Sequence, residues 1–412
     1  MGSLRAYPRK IWMLAATGIL YATGMAFIWP MVTIYIHDVL GKSLSVAGML
    51  LVFNQGGFLT GSLVGGLLFD RWGKLRTIVA TTVLGAVVAI IMGSWQNFYV
   101  YGAMLALNGF CSGVMYPAIY ALTTIIWKEG GRTALNMTYV AINVGVAVGS
   151  ALCGIVAELS FTWTFYGNAI LYGIVLVMFI AMLRNRQESP ATGAKEEIYT
   201  IEPIEPVPVP AKRPWVTLGM LCFGLIVCWI AYVQWQTVIA TYMSSLGISL
   251  SSYSMLWTIN GLLILVGQPL TKWLIRFASD VKQQIVLGSI IFACSMLLLT
   301  QTTSYTGFLA GMIIMTLGEM LVWPGVPTIA ARLAPPGKEG QFQGMVSGAS
   351  SAGRMVGPAL GAVLFESFSA SVLFLAMALL CLLGAVCFYS HDRLRRRTSE
   401  NGNSIQAKTE SF

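Results

Sequence analysis

The chain has 412 residues, of which 56% are hydrophobic and only 10% are charged, whereas an ordinary soluble domain has about 25% charged residues. So few charges cannot cover a water-soluble fold of this length, and the alternating pattern of a β-barrel is absent, so the composition predicts an all-α, multi-pass membrane protein. The net charge of +9 does not indicate a nucleic-acid partner, because the basic residues flank the apolar segments.

Twelve apolar segments are each long enough, at about 1.5 Å per helical residue, to cross a hydrocarbon core of about 30 Å. Twelve spans place both termini on one side, and if that side is the cytoplasm, every Lys and Arg except Lys42 and Arg354 is cytoplasmic. The positive-inside rule thus predicts a plasma-membrane protein with cytoplasmic termini. The predicted spans are residues 10–33, 45–69, 76–94, 98–125, 134–157, 162–183, 215–241, 252–275, 284–301, 306–331, 341–365 and 370–390.

A charged, proline-rich segment separates the first six spans from the last six. Before its final basic residues it carries Glu196, Glu197, Glu202 and Glu205 and four prolines from Pro203 to Pro210, a composition that is typical of an extended linker. The sequence therefore predicts an N-terminal six-helix bundle at 1–183, a cytoplasmic linker at 184–214, a C-terminal six-helix bundle at 215–392 and a basic, polar cytoplasmic tail at 393–412.

The residue inventory argues against a metalloprotein or an enzyme. The seven cysteines all fall within apolar spans, and neither they nor the two histidines show metal-ligand spacing. No phosphate-binding loop and no pair of catalytic groups at membrane depth is apparent. We therefore expect no metal, no cofactor, no catalytic residue and no ATP-driven pump, and we expect an ion gradient to be the energy source.

The loop after the second span carries the first family signal, and it reads Gly65-Gly66-Leu67-Leu68-Phe69-Asp70-Arg71-Trp72-Gly73-Lys74-Leu75-Arg76. This string resembles the signature between helices 2 and 3 of the major facilitator superfamily, whose fold has twelve transmembrane helices in two pseudo-symmetric six-helix bundles. The resemblance implies that Asp70, Arg71 and Gly73 form a cytoplasmic gating latch. A carboxylate at a helix end can also meet either the N-terminal dipole of another helix or a basic residue of another helix.

The resemblance continues along the chain and is closest to the drug:proton antiporter branch. Two stretches, 145–152 and 353–360, repeat glycines four residues apart in the two halves, a spacing that lets helices pack closely. Leu105 stands where many proton-coupled members have an arginine, so the usual proton relay of the fourth helix is in doubt. The matching residues are Gly109, Gly113, Pro117, Arg132, Asn143, Gly145, Gly149, Gly318, Glu319, Gly353, Gly357, Pro358 and Gly361.

Glu319 is the acidic residue that the sequence places in the middle of the tenth span. A carboxylate at that depth is costly unless it is protonated, paired or exposed to water. One interpretation is that Glu319 binds either a proton or a cationic substrate, so that the two compete, and the resembled branch has a matching acidic residue. The alternative is a structural ion pair with Arg354, which we expect at a similar depth, as a partner, a switch or both.

Amide and aromatic side chains at membrane depth are the remaining candidates for a substrate cavity. Large aromatic faces with few fixed polar groups suit bulky amphipathic ligands, and buried amides either contact a ligand or join two helices. Trp229, Tyr232 and Gln236 are spaced as one stripe of a helix. The predicted set is Asn108, Tyr116, Asn143, Trp229, Tyr232, Gln236, Asn260 and Trp323, and Trp257 is a further aromatic candidate of the eighth span.

These observations predict a secondary active transporter, acting as a monomer, that exports hydrophobic or cationic compounds in exchange for protons by alternating access. The alternative is a transporter or flippase of an endogenous glycolipid, peptide or metabolite, because one fold serves many substrates. A membrane-embedded enzyme would need catalytic groups at membrane depth, and a non-transporting sensor would need a soluble output domain. Neither feature is apparent in the sequence.

Overall fold

The computed structural model describes residues 8–28, 32, 35–42, 44–184, 214–275, 278 and 280–409. Almost all of this part of the chain is helical. Contacts divide it into two compact units, Met1–Pro208 with Gly337–Gly348, and Val209–Pro336 with Ala349–Phe412. Within the described residues, ten helices are long and apolar enough to cross a membrane.

The first unit contains six long helices. They are α1 (Arg9–Ile28), α2 (Leu44–Arg71), α3 (Lys74–Ser94), α4 (Phe98–Ile126), α5 (Gly131–Leu159) and α6 (Phe161–Arg184), with a π-helical turn at Tyr35–Val39 before α2. Asn97 begins α4 because its side chain accepts hydrogen bonds from the backbone N–H groups of Tyr99 and Val100 at 3.0 and 3.2 Å. Helix α2 packs along α4, and α1 packs along α5.

The second unit is built from α7 (Pro214–Tyr232), a 3₁₀ segment (Val233–Gln236), α8 (Val238–Ser245), α9 (Leu250–Val266), α10 (Gln268–Ile275), α11 (Val281–Leu299), α12 (Tyr305–Leu333), α13 (Glu339–Ser367) and α14 (Ala370–Thr409). The first residues of α13 belong to the first unit. Helix α11 packs along α12 and α14, and α7 packs along α14.

The predicted all-α membrane fold is confirmed, and the helices lie close to the predicted spans. The predicted count of twelve spans fits these helices, although α9 is shorter and α13 is more polar than the ten helices that are long and apolar enough to cross a membrane. The predicted linker, 184–214, lies outside the described residues except at its two ends, and α14 continues through most of the predicted tail. The boundaries of the four predicted segments stay predictions.

The seventh predicted span is continuous in sequence but not in structure, because α7 gives way to the 3₁₀ segment before α8. Side chains take over the hydrogen bonds that the helix loses there. The Gln234 amide donates to the carbonyl of Ile230 at 2.8 Å. The hydroxyl of Tyr253 donates to the carbonyl of Trp235 at 2.7 Å. Thus Gln236 does not continue the helical stripe of Trp229 and Tyr232 that the sequence predicts.

The eighth predicted span is also interrupted, at Gly267 between α9 and α10. Pro269 has no backbone N–H and cannot donate to a carbonyl in the preceding turn. The side-chain amide of Gln268 donates to the carbonyl of Ile264 near the end of α9, at 2.8 Å. A side chain again satisfies a backbone group where the helix ends, which is what a low-dielectric environment requires.

Glycines allow equivalent helix pairs in the two units to approach backbone to backbone. On α5, Gly145 and Gly149 pack against backbone carbonyls of α1, and on α13, Gly353 and Gly357 pack against backbone atoms of α7. A polar side chain crosses each contact to a glycine carbonyl. Thr23 donates to the carbonyl of Gly145 at 3.1 Å, and the Gln234 amide donates to that of Gly357 at 2.8 Å. The repeat of the sequence is therefore also a structural repeat.

The contact between α2 and α4 gives a stability prediction with a matched control. A Cβ at Gly57 would meet the backbone carbonyl of Ala106, whereas a Cβ at the neighbouring Gly56 would enter open space. We expect Gly57→Ala to destabilise the purified protein by about 1–3 kcal/mol, because α2 must move away from α4. Gly56→Ala should leave the thermal unfolding midpoint unchanged or slightly higher. Equal midpoints for both variants would contradict this close packing.

Candidate functional site

Glu319 is the central residue of α12, with fourteen residues on either side. Its side chain is buried, with 5% of its surface exposed. The carboxylate oxygen Oε2 accepts hydrogen bonds from the hydroxyl of Tyr232 on α7 and from the amide of Asn260 on α9, both at 3.0 Å. Two of the predicted cavity residues thus hold Glu319 in a fixed position.

The polar contacts of Glu319 extend through Asn260 to a third side chain. The Asn260 amide nitrogen also donates to the hydroxyl of Thr316 at 2.9 Å, and that hydroxyl donates to the carbonyl of Met312 at 2.7 Å. Asn260 is 7% exposed and Thr316 is fully buried. The carboxylate, the amide and the hydroxyl therefore form one buried polar network inside the second unit.

Aromatic rings surround this network. Trp229 and Trp323 stack with their ring centroids 4.4 Å apart and their planes 9° from parallel. Tyr232 meets both edge-on, at 5.2 and 5.4 Å, and the rings of Trp257 and Phe292 lie 6.5 and 6.2 Å from it. We call these five residues the aromatic cluster. Because Tyr232 contacts both indoles and the Glu319 carboxylate, the cluster and the polar network form one site.

A cation also belongs to this site. The guanidinium carbon of Arg354, on α13, lies 5.0 Å from the centroid of the Trp229 ring, within the range of a cation–π interaction. Gly353 permits this approach because it packs against the Cβ of Trp229. The ion pair between Arg354 and Glu319 that the sequence analysis considered stays a prediction.

Such an arrangement can bind a cation or a proton. A buried carboxylate surrounded by apolar rings interacts strongly with any charge that replaces its proton, because little water screens it. Aromatic faces attract organic cations at the same time. Among the described residues, no three His, Cys, Asp or Glu side chains come together as a metal site would require.

The predicted latch residue Asp70 lies at the end of α2 and contacts the start of α13 within the first unit. Its two carboxylate oxygens accept hydrogen bonds from the backbone N–H groups of Gly340 and Gln341, at 2.8 and 2.7 Å. This is the contact with a helix N-terminus that the sequence analysis considered. Arg71 is exposed at the end of the same helix, and Gly73 turns the chain into α3 with a φ of 109° that favours glycine.

Three predicted cavity residues lie in the first unit, apart from the contacts of Glu319. Tyr116 packs against the rings of Phe58 and Tyr120, with centroids 6.1 and 5.3 Å away. The Asn143 amide donates to the carbonyl of Tyr139 in its own helix, at 2.9 Å. The side-chain oxygen of Asn108 is buried without a hydrogen-bond partner. Their assignment to a substrate cavity stays a prediction.

Two residues of the site, Phe292 and Thr316, were not predicted from the sequence. Thr316 stands three residues before Glu319 and could have been found as its helical neighbour. Phe292 lies on α11, and nothing in its local sequence separates it from other apolar residues of that helix. It reaches the site because Gly288 and Gly318 let α11 and α12 approach closely.

Comparisons with known proteins agree with this architecture. The profile described as Major Facilitator Superfamily matches residues 14–275 and 226–412. The Bacillus subtilis (strain 168) protein named uncharacterized MFS-type transporter YttB is 42% identical over 397 residues, covering 95% of this chain and 98% of that protein.

Two more distant relatives have names that describe a function. A protein of Planococcus maritimus named Na(+), Li(+), K(+)/H(+) antiporter is 24% identical over 368 residues, covering 82% of this chain and 85% of the relative. The quinolone resistance protein NorA of Staphylococcus aureus is 26% identical over 187 residues, covering 45% of this chain and 48% of NorA.

Solved structures share the fold. The human organic anion transporter MFSD10 has a TM-score of 0.70 at 14% identity, covering 93% of this chain and 100% of that structure. The transporter FucP, in an outward conformation, has a TM-score of 0.69 at 12% identity, covering 93% and 99%. At these identities the likeness concerns the fold alone.

Proposed function

The chain belongs to the major facilitator superfamily of membrane transporters, and from this premise we propose that it exports hydrophobic cations in exchange for protons. The observation that carries this proposal is the buried carboxylate of Glu319 within the aromatic cluster. The proposal places the protein in the plasma membrane as a monomer with cytoplasmic termini and assigns it to the drug:proton antiporter branch.

Coupling follows from competition for one carboxylate. When Glu319 is ionised, a lipophilic cation can bind beside it and against the aromatic faces. When a proton neutralises Glu319, the electrostatic part of that attraction is lost and the cation is released. Tyr232 and Asn260 keep the carboxylate in place in both states, because a hydroxyl and an amide can donate to either form. Alternating access would then expose the site to each side of the membrane in turn.

Two of the relatives support a proton-coupled exporter. One is named as a cation/proton antiporter and one as a quinolone resistance protein. Leu105 stands in the fourth helix where many proton-coupled members have an arginine, which is consistent with a coupling site in another helix. Leu105 is buried in the apolar core of the first unit, where its carbonyl accepts a hydrogen bond from the Asn54 amide at 2.8 Å.

Transport by inside-out membrane vesicles tests the proposed function. With an acid-inside pH gradient we expect the vesicles to accumulate a lipophilic cation such as ethidium, because protons leaving the lumen drive its entry. A protonophore should abolish the accumulation, and each addition of substrate should release protons from the lumen. Vesicles without the protein are the control.

The outcome separates the proposal from its main alternative. If the vesicles ignore a broad panel of lipophilic cations while the gradient is intact, cation export is wrong for this chain. Substrate-dependent proton release on addition of a glycolipid, peptide or metabolite fraction would then favour an endogenous substrate.

A further inference from the structure

The proposed function leaves the role of Arg354 open, although its guanidinium lies over Trp229 of the aromatic cluster. A cationic side chain is unexpected at a site for cationic substrates, because like charges repel. Its position over Trp229 at 5.0 Å is where a cationic ligand would gain most from the ring.

The stacking geometry determines which aromatic face a ligand can reach. Trp323 covers one face of Trp229, since the two indoles are nearly parallel at 4.4 Å. A guanidinium over the same ring must therefore lie on its other face. Tyr232 meets both indoles edge-on, with interplanar angles of 75° and 79°, and so leaves that other face to Arg354. A flat indole face is thus present in the cluster whose Tyr232 hydrogen-bonds to the Glu319 carboxylate, and the protein's own cation covers it.

We propose that Arg354 is a resident cation on Trp229 and that a planar cationic substrate binds by displacing it from this face. This inference rests on the proposed function, because it names the class of ligand at the same site. The guanidinium is itself planar and stacks on aromatic faces, so a planar aromatic cation can make the same stacking contact with Trp229. A cation that is not flat gains little from the vacated face, and Arg354 thereby determines specificity for ligand shape.

Removal of Arg354 gives the test. In purified full-length protein without any gradient, we expect Arg354→Met to bind planar ethidium about fivefold more tightly, because the ligand no longer displaces a cation–π partner. Affinity for tetraphenylphosphonium, which has the same charge but no flat face of that kind, should change less than twofold. Quenching of tryptophan fluorescence and equilibrium dialysis can measure both affinities.

Lys282→Met is the matched control. It removes a cation that lies 4.6 Å from the ring centroid of Tyr389 on α14, another aromatic contact of the second unit, and should leave both affinities unchanged. If Arg354→Met raises both affinities equally, general charge repulsion or release of a paired Glu319 is the cause, and the inference is overturned. Unchanged or weaker ethidium binding overturns it as well.

A second variant keeps the inference testable if Arg354→Met does not fold. Trp229→Leu removes the shared face while Arg354 stays, so it should abolish the preference for ethidium over tetraphenylphosphonium. A preference that persists in Trp229→Leu contradicts the inference.

Failure of this inference and failure of the proposed function give different results. Ethidium binding with the expected order of variants but without proton-driven transport would overturn only the proposed function. Proton-driven transport of cations with no effect of Arg354→Met would overturn only the inference.

Discussion

Replacing Glu319 by glutamine is expected to reduce proton-driven cation export to the level of vesicles that lack the protein. Glutamine has nearly the same shape, and its side-chain oxygen can still accept hydrogen bonds from Tyr232 and Asn260, which contact Glu319 at 3.0 Å in the native protein. It cannot take up a proton or carry a negative charge, so a cation and a proton no longer compete. Cation binding should weaken on the order of tenfold or more, because a charge partner is lost.

The Glu319 prediction has two controls. Glu366→Gln removes the charge of an exposed glutamate of α13 and should export as the native protein does. Glu319→Asp keeps the charge on a shorter side chain and should retain proton dependence at a lower rate. Gradient-driven export by Glu319→Gln at the native rate would exclude this residue from coupling. If instead the variant loses thermal stability but keeps its dependence on the pH gradient, the structural ion pair with Arg354 is the better interpretation.

Replacing Asp70 by asparagine is expected to loosen the first turn of α13 and to slow transport. The carboxylate accepts backbone hydrogen bonds from Gly340 and Gln341 at 2.8 and 2.7 Å, and an amide can replace only one of its oxygens. A hydrogen bond to a charged group contributes about 1.5–3 kcal/mol. Hydrogen exchange of residues 337–348, followed by mass spectrometry, should therefore become about tenfold to a hundredfold faster.

Asp280→Asn is the matched control for Asp70. Asp280 also receives a backbone hydrogen bond at the start of a helix, from Lys282 at 3.4 Å, but it stands at the start of α11. Its replacement should leave both the exchange of residues 337–348 and the transport rate near their native values. Faster exchange in Asp70→Asn with native transport would show that the contact is structural and would exclude a gating role.

The position of Asp70 at a helix end is visible in the sequence, but the partner of its carboxylate is not. Asp70 follows two glycines and an apolar run and precedes Arg71 and Gly73, so its place at a helix end is a local property. The sequence therefore predicted a contact with either a helix N-terminus or a basic residue of another helix, and it did not indicate which helix. Gly340 and Gln341 come roughly 270 residues later, and only the folded chain brings their N–H groups to the carboxylate.

The sequence by itself determined the membrane class and the approximate helix positions, and it singled out Glu319 as a candidate. These follow from local physics, since an apolar run must satisfy its own backbone in lipid and a lone carboxylate at mid-span is costly wherever its neighbours are. The breaks at Gln234 and Gly267 escaped notice because continuous apolarity does not reveal which side chains hydrogen-bond to backbone carbonyls.

Only the tertiary structure decided which aromatic residues surround Glu319. Trp229, Trp323 and Phe292 come from three helices, and their stacking depends on helix rotation and on the glycine contacts that set interhelical distance. The tertiary structure also gave the predicted cavity residues different partners. Tyr232 and Asn260 donate hydrogen bonds to the Glu319 carboxylate, whereas Asn143 donates to a carbonyl of its own helix. The physical reason is that any aromatic or amide residue in a span has several places to pack in a low-dielectric environment, and its neighbours select one.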